Sequence, residues 1–188
     1  MINIIGGKYK NKKIDVHDFN VRPTSAIKRK AIFSIIESYA LKNLYEPYKN
    51  KCFIDIYAGS GAMGLEAISR GISFSYFIEN NNEIYKKLSK NCREICKENN
   101  FKIYFQNANY LDNINIIHPV SAIFIDPPYN LNPFNIILEN ILNKKLLDNN
   151  SLIIIETKNE EKIDFSSELK MINEKNYGKA KITFLKKN

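Results

Sequence analysis

Cysteine and histidine are scarce in this 188-residue chain, and that scarcity narrows its chemistry first. Three cysteines, Cys52, Cys92 and Cys96, are too few and too odd in number for a disulfide framework. Cys92 and Cys96 stand four apart on an expected helix and could face one ligand, but zinc needs two further donors. The two histidines, His17 and His118, have no paired spacing, so no metal is expected and the cysteines read as small, part-buried helix residues. Long apolar runs are missing too. Nothing approaches the roughly 18 residues of a membrane-spanning helix, and the first residues, Met-Ile-Asn-Ile-Ile-Gly-Gly-Lys, hold no charged region followed by an apolar stretch. A cytoplasmic protein with no membrane partner is expected. No repeat or low-complexity linker divides the chain, so 1–188 reads as one domain, a 1–22 extension on a 23–188 core.

What is present is positive charge. Lys and Arg number 28 against 20 Asp and Glu, a net +8, which invites a polyanionic partner. Lysine, asparagine and isoleucine are abundant throughout, however, so the placement of the charge says more than its sum. Residues 2–16 read as a hairpin with Gly6-Gly7 as its turn signal. Its second arm carries Lys8, Lys10, Lys12 and Lys13 around Tyr9. Lysines guard an edge strand against aggregation; they also suit a phosphate-contacting arm with a stacking aromatic. Both readings stay open at this point. After Arg22-Pro23-Thr24-Ser25, a helix is expected from Ala26 to about Ala40, with Ile27, Ala31, Phe33, Ile35 and Ile36 at helical spacing. Lys28, Arg29 and Lys30 sit in its first turns, where positive charge opposes the helix dipole and phosphate contact would explain it.

The organising stretch is Cys52–Gly64, an apolar strand running into Gly59-Ser60-Gly61-Ala62-Met63-Gly64 and then a helix ending at Gly71. Strands at 73–79, 102–107, 122–125 and 151–156 alternate with helices at 82–98 and 135–142. Two closely spaced strands, 170–174 and 179–185, meet at Tyr177-Gly178 and must include an antiparallel member. Near-continuous apolar strands between helices give a doubly wound α/β sandwich, mostly parallel, with a small basic N-terminal hairpin.

The glycines satisfy the G-x-G-x-x-G pattern after a strand and at a helix start, and Glu79 closes the next strand, where a carboxylate can accept ribose hydroxyls. That pattern alone allows a dinucleotide. Asp55, within the apolar strand just before the loop, disfavours a pyrophosphate and suits the sulfonium and ammonium groups of S-adenosylmethionine. The second motif is Asp126-Pro127-Pro128-Tyr129 at a strand end, where open α/β sheets bind ligands. Asp126 can accept one N–H of an exocyclic base amine and the Pro127 carbonyl the other, with Pro127 and Pro128 fixing the backbone. Tyr129 offers a stacking face. Holding both hydrogens aims the nitrogen lone pair at a methyl donor, so alignment carries most of the catalysis.

With Arg22-Pro23-Thr24, Asp55 through Ala67 and Tyr177-Gly178, the chain resembles, nearly end to end, the bacterial 16S ribosomal RNA guanine-N2 methyltransferase D family. The resemblance implies a Rossmann-like class I methyltransferase sandwich using S-adenosylmethionine on one guanine of small-subunit RNA. Its partner would be 16S RNA within the 30S subunit or an assembly intermediate, and the enzyme a monomer. Carried over by motif, Asp55, Ala58, Gly59 and Gly61 would line the methionine end of the cofactor, Glu79 the ribose, and Asn107 and Ala108 the adenine. Arg22, Thr24 and Arg29 would face RNA. Two residues depart from the family pattern: Tyr57 stands where Phe is usual, and Asn107 where an acid is frequent. An adenine-N6 methyltransferase shares the clamp chemistry; a non-catalytic RNA-binding assembly factor would have no need of it, and Asp55 disfavours a dinucleotide oxidoreductase.

Overall fold

The computed structural model describes residues 1–16, 24–96, 100–128 and 131–188. Short strands β1 (Ile2–Asn3) and β2 (Lys13–Ile14) pair antiparallel. Helix α1 (Ala26–Lys42) starts from the N-cap Ser25, whose hydroxyl accepts the Lys28 N–H. The core then runs β3 (Cys52–Ile56), α2 (Ala62–Arg70), β4 (Phe74–Glu79), α3 (Asn82–Ile95), β5 (Phe101–Phe105), β6 (Val120–Ile125), α4 (Phe134–Asn143) and β7 (Leu152–Lys158). Strands β8 (Leu169–Tyr177) and β9 (Ala180–Lys187) complete it.

Seven strands form one sheet in the order β5-β4-β3-β6-β7-β9-β8. β3, β4, β5, β6 and β7 run parallel, and β9 lies antiparallel to both β7 and β8. This is the expected mostly parallel sheet with an antiparallel C-terminal strand. β3 and β6 are buried along their whole length and β7 along all but its last residue, as strands covered on both faces must be. One face packs α1, α2, α3 and the N-terminal segment over Phe53, Phe77, Phe124 and Ile154; the other packs α4 and the loop around Leu111 and Ile114 over Ile54, Ile78, Ile123 and Ile155.

β3 has α2 leading away to β4 on one side and lies against β6 on the other, so the strand order reverses between β3 and β6. A crevice opens at that reversal, at the carboxyl ends of the strands. Among the described residues no helix is long and apolar enough to cross a membrane.

The N-terminal segment forms the expected hairpin: beyond the two β1–β2 pairs, Ile4 donates to the Lys12 carbonyl and accepts from the Asn11 N–H, both at 2.9 Å. Its turn docks on α2. Ile5 and Gly6 donate their N–H groups to the buried Glu66 carboxylate at 2.8 and 2.9 Å, and Arg70 pairs with it at 2.8 Å. Lys8 and Tyr9 donate to the carbonyl and hydroxyl of Ser69 at 2.7 and 2.9 Å. Gly7 is required here: its φ is +73°, and a Cβ would stand 1.7 Å from the Ser69 carbonyl oxygen. Tyr9 is buried in the core between the flanking lysines, with Lys8 and Lys12 ammonium groups about 5 Å from its ring centroid. It is therefore a packing residue, which removes the stacking role from the two readings left open for this arm.

In α1 the buried stripe is Arg29, Ile32, Phe33, Ile36 and Ala40, not the expected set. Ile27 is 74% exposed. α3 is regular to Ile95, and Cys92 and Cys96 are buried thiols not joined in a disulfide.

Candidate active site

β3 ends in a turn built for close approach. Tyr57, Gly59 and Gly61 all have positive φ, at 63°, 55° and 82°. Gly61 caps α2 in the left-handed conformation, so no side chain covers the helix N-terminus. A Cβ on Gly61 would meet Leu88 at 2.6 Å, and one on Gly64 would meet the Phe77 ring at 2.3 Å. The first glycines thus shape the turn, and the last lets α2 lie against β4.

Asp55 sits beneath this turn, 2% exposed, and its Oδ2 accepts the Gly64 N–H at 2.9 Å. Burial pushes its pKa well above the ordinary carboxylate value, opposed by the Gly64 N–H and reinforced by the charges of Asp126 and Glu79. Glu79 accepts the Gly59 N–H on one oxygen at 3.0 Å and those of Asn80 and Asn81 on the other at 3.0 and 2.9 Å. It holds the turn in place from the next strand; its remaining lone pair is what a ribose hydroxyl could use.

Asp126 follows β6. Its Oδ2 accepts a hydrogen bond from Thr24 Oγ1 at 3.4 Å. Its pKa is pushed up to about 8, first by burial and then by the Glu156 carboxylate, with Lys28 and the Thr24 hydroxyl opposing. Glu156, in the buried part of β7, pairs with the Lys28 ammonium from α1. Pro127 is buried and Pro128 exposed, and the Pro128 carbonyl accepts the Leu131 N–H at 3.0 Å.

One cleft of about 630 Å³, open to solvent, brings these parts together. It is lined by Asp55, Tyr57, Ala58, Gly59 and Ser60 on the glycine side, Thr24, Phe124 and Asp126 on the other, and Met63, Ile84, Lys87 and Val16 around the rim. Asp126 and Glu79 add to the burial that raises the Asp55 pKa, and such a gathering of carboxylates favours a cation and repels phosphate. Asn91 ties the wall to the N-terminal segment, donating to the Ser60 and Asp15 carbonyls at 3.0 and 2.8 Å.

The remaining expected residues fall as follows. Ala108 is buried in the core beyond β5, while Asn107 is exposed, and its side-chain oxygen accepts the Asn109 N–H at 2.9 Å; neither lines the cleft. Lys8, Lys10 and Lys13 are exposed, and Lys12 is half-buried, 3.4 Å from the Ile95 carbonyl. Thr24, expected to face RNA, is buried and points at Asp126. Arg29, expected to face RNA, is 2% exposed, with its guanidinium donating to the Thr24 and Asn3 carbonyls at 2.6 and 2.7 Å. It does not face RNA: Arg29 braces β1 to the start of α1, and burial lowers its pKa against the raising charge of Glu66. Arg22, Pro23 and Tyr129 lie outside the described residues.

The sequence reading missed Lys28, Glu156, Lys87 and Asn91 as site residues. For Glu156 a signal existed, since an acid closing an apolar strand repeats the pattern of Glu79.

The chain matches, over residues 2–186, the family described as conserved hypothetical protein 95. It is 33% identical over 165 residues to the ribosomal RNA small subunit methyltransferase D of Buchnera aphidicola subsp. Acyrthosiphon pisum, covering 86% of this chain and 81% of that one. The chain belongs to the ribosomal RNA small subunit methyltransferase D family. A second member, from Buchnera aphidicola subsp. Baizongia pistaciae, is 32% identical over 159 residues, 84% of this chain and 76% of that one. Among solved structures, a protein from Escherichia coli provisionally named a methyltransferase superposes with a TM-score of 0.82 at 24% identity, covering 99% of this chain and 97% of that one. That likeness supports the Rossmann-like methyltransferase fold.

Proposed function

We propose that the protein transfers a methyl group from S-adenosylmethionine to the exocyclic N2 amino group of a guanine in small-subunit ribosomal RNA. The observation that carries this reading is one crevice holding, across the β3–β6 reversal, an acid-lined glycine turn and the Asp126-Pro127 strand end. Membership of the family and the names of the Buchnera relatives support RNA as substrate.

The residues present fit the cofactor by charge. S-adenosylmethionine supplies an electrophilic methyl on a sulfonium. Asp55 and Asp126 flank the cleft where a cation would offset the field that lifts the Asp55 pKa. Glu79 would take the ribose, and Ala58, Gly59 and Gly61 the methionine end. Asn107 and Ala108 would flank the adenine only at the outer end.

On the substrate side, Asp126 and the Pro127 carbonyl accept the two N–H groups of the amine and turn its lone pair toward the methyl. As the nitrogen gains the methyl it must lose a proton, and Asp126, with its raised pKa, is suited to take it. Tyr129 would stack on the base. The exposed Lys8, Lys10 and Lys13, with Lys12 and Arg22, would contact phosphates beside the cleft. Such an enzyme works on small subunits in the cytoplasm as a monomer.

The test incubates the protein with methyl-labelled S-adenosylmethionine and unmodified small subunits, then digests the RNA to nucleosides. N2-methylguanosine is expected. N6-methyladenosine would retain the clamp and change the base; label bound without transfer would favour an assembly factor.

A further inference from the structure

We infer that Glu156 is a specificity-determining residue, accepting the N1–H of the target guanine beside the Asp126 clamp, with Lys28 holding it as an acceptor. The inference rests on the guanine reading above and extends it to how the base is told from adenine.

Position comes first. β6 and β7 pair in parallel with Phe124 opposite Ile154 and Ile125 opposite Ile155. Asp126 and Glu156 each follow the last matched pair by one residue, and alternation turns them to the face of Phe124 and Ile154. Two carboxyls therefore stand side by side at the ligand-binding ends of adjacent strands, close enough that the Glu156 charge raises the Asp126 pKa.

Bonding comes second. Glu156 is 5% exposed; one oxygen pairs with Lys28, and the other, Oε2, is buried with no hydrogen-bond partner among the described residues. Buried polar atoms are nearly always satisfied, because an unpaired one is costly. An orphan acceptor beside the residue assigned to the amine is what a missing donor would leave.

Guanine supplies that donor. Its Watson–Crick edge sets the N2 amine directly beside N1–H, so two adjacent acceptors complement it, and flipped bases are read along this edge. Adenine sets its amine beside an N1 lone pair, which a carboxylate repels. Lys28 makes the choice strict. With one oxygen held by the Lys28 ammonium, the carboxylate presents its other oxygen as an acceptor, which suits a guanine N1–H and not an adenine N1 lone pair. The Lys28–Glu156 pair spans α1 and β7, so a simple brace between those elements is the rival account.

The experiment uses small subunits reconstituted with either guanine or 2-aminopurine at the methylated position. 2-Aminopurine keeps the N2 amine but has a bare N1. Wild type should prefer guanine in kcat/KM, by about tenfold or more for a hydrogen bond to a charged group. Glu156→Gln should lose most of that preference, because its amide can donate to the bare N1. Lys28→Met, which removes the partner that fixes the Glu156 carboxylate, should weaken the preference too, and it carries the test if Glu156→Gln fails to fold. Variants that slow both substrates equally, with the preference intact, would overturn the inference and leave a brace. N6-methyladenosine from wild type would overturn the guanine reading and this inference together.

Discussion

Binding of S-adenosylmethionine should strengthen steeply between pH 6 and 8, while binding of its demethylated product should not. The reason is Asp126. Burial and the neighbouring Glu156 hold its pKa at about 8, against Lys28 and Thr24, whereas an ordinary Asp titrates near ~3.9. In the free protein the group is therefore about 1% ionised at pH 6 and roughly half ionised at pH 8. If the sulfonium is held mainly by the ionised form, apparent affinity scales with that fraction, a gain of up to ~50-fold across the interval. The product is a neutral thioether that shares every other group with the donor, so the ratio of the two dissociation constants isolates the sulfonium. Isothermal titration at pH 6, 7 and 8 measures it. Asp126→Asn should flatten the ratio; Glu156→Gln should move its rise to lower pH by removing one cause of the elevation. A wild-type ratio constant across this range would refute the placement of the sulfonium beside Asp126.

The same elevation has a stability consequence. Between pH ~4 and ~8 the folded protein binds a proton at Asp126 that the unfolded chain does not, so this group makes stability fall as pH rises through that window; urea midpoints should show the decline, and Asp126→Asn should lessen it. Glu66→Ala would strip the acceptor from Ile5, Gly6 and Arg70 and should cost on the order of 3–5 kcal/mol in urea unfolding, as losing one partner of a buried charged network does. A loss under 1 kcal/mol would mean that the N-terminal segment is not anchored there. Gly64→Ala would drive a methyl into the Phe77 ring; the ~1–3 kcal/mol cost of overpacking should outweigh the ~1 kcal/mol gained in helix propensity, giving a net loss by denaturant melt and weaker cofactor binding. Replacing Lys10 and Lys13, both exposed, should lower the salt slope of RNA binding by about one unit per lost phosphate contact. An unchanged slope would return these lysines to the role of a solvated edge.

The centre of the sheet was legible because β3, β6 and β7 are buried on both faces and read as nearly unbroken apolar runs, and because the glycine turn needs residues that tolerate positive φ. Asp55 and Asp126 stood out as acids interrupting or ending such runs. Less legible was whatever depends on pairing between distant segments. Lys28 reaches Glu156 across 128 positions, and only the β6–β7 register sets Glu156 beside Asp126. The N-terminal arm looked like an independent basic hairpin, since nothing in its lysines shows that Tyr9 turns inward or that Ser69 and Glu66 receive its backbone. Arg29 was misread from its charge among basic neighbours. Its spacing of three, four, seven and eleven from Ile32, Phe33, Ile36 and Ala40 puts it on the buried stripe, and that period was readable.

The central claim is that the Asp126 clamp holds the N2 amine of guanine for methylation, and one product analysis tests it most directly. Unmodified small subunits are incubated with labelled S-adenosylmethionine and wild type or Asp126→Ala protein, and the RNA is digested to nucleosides. The account predicts N2-methylguanosine from wild type and none from Asp126→Ala, with the variant folded and still able to bind the methyl donor. N2-methylguanosine at undiminished rate from the variant, or label in another nucleoside, would contradict it.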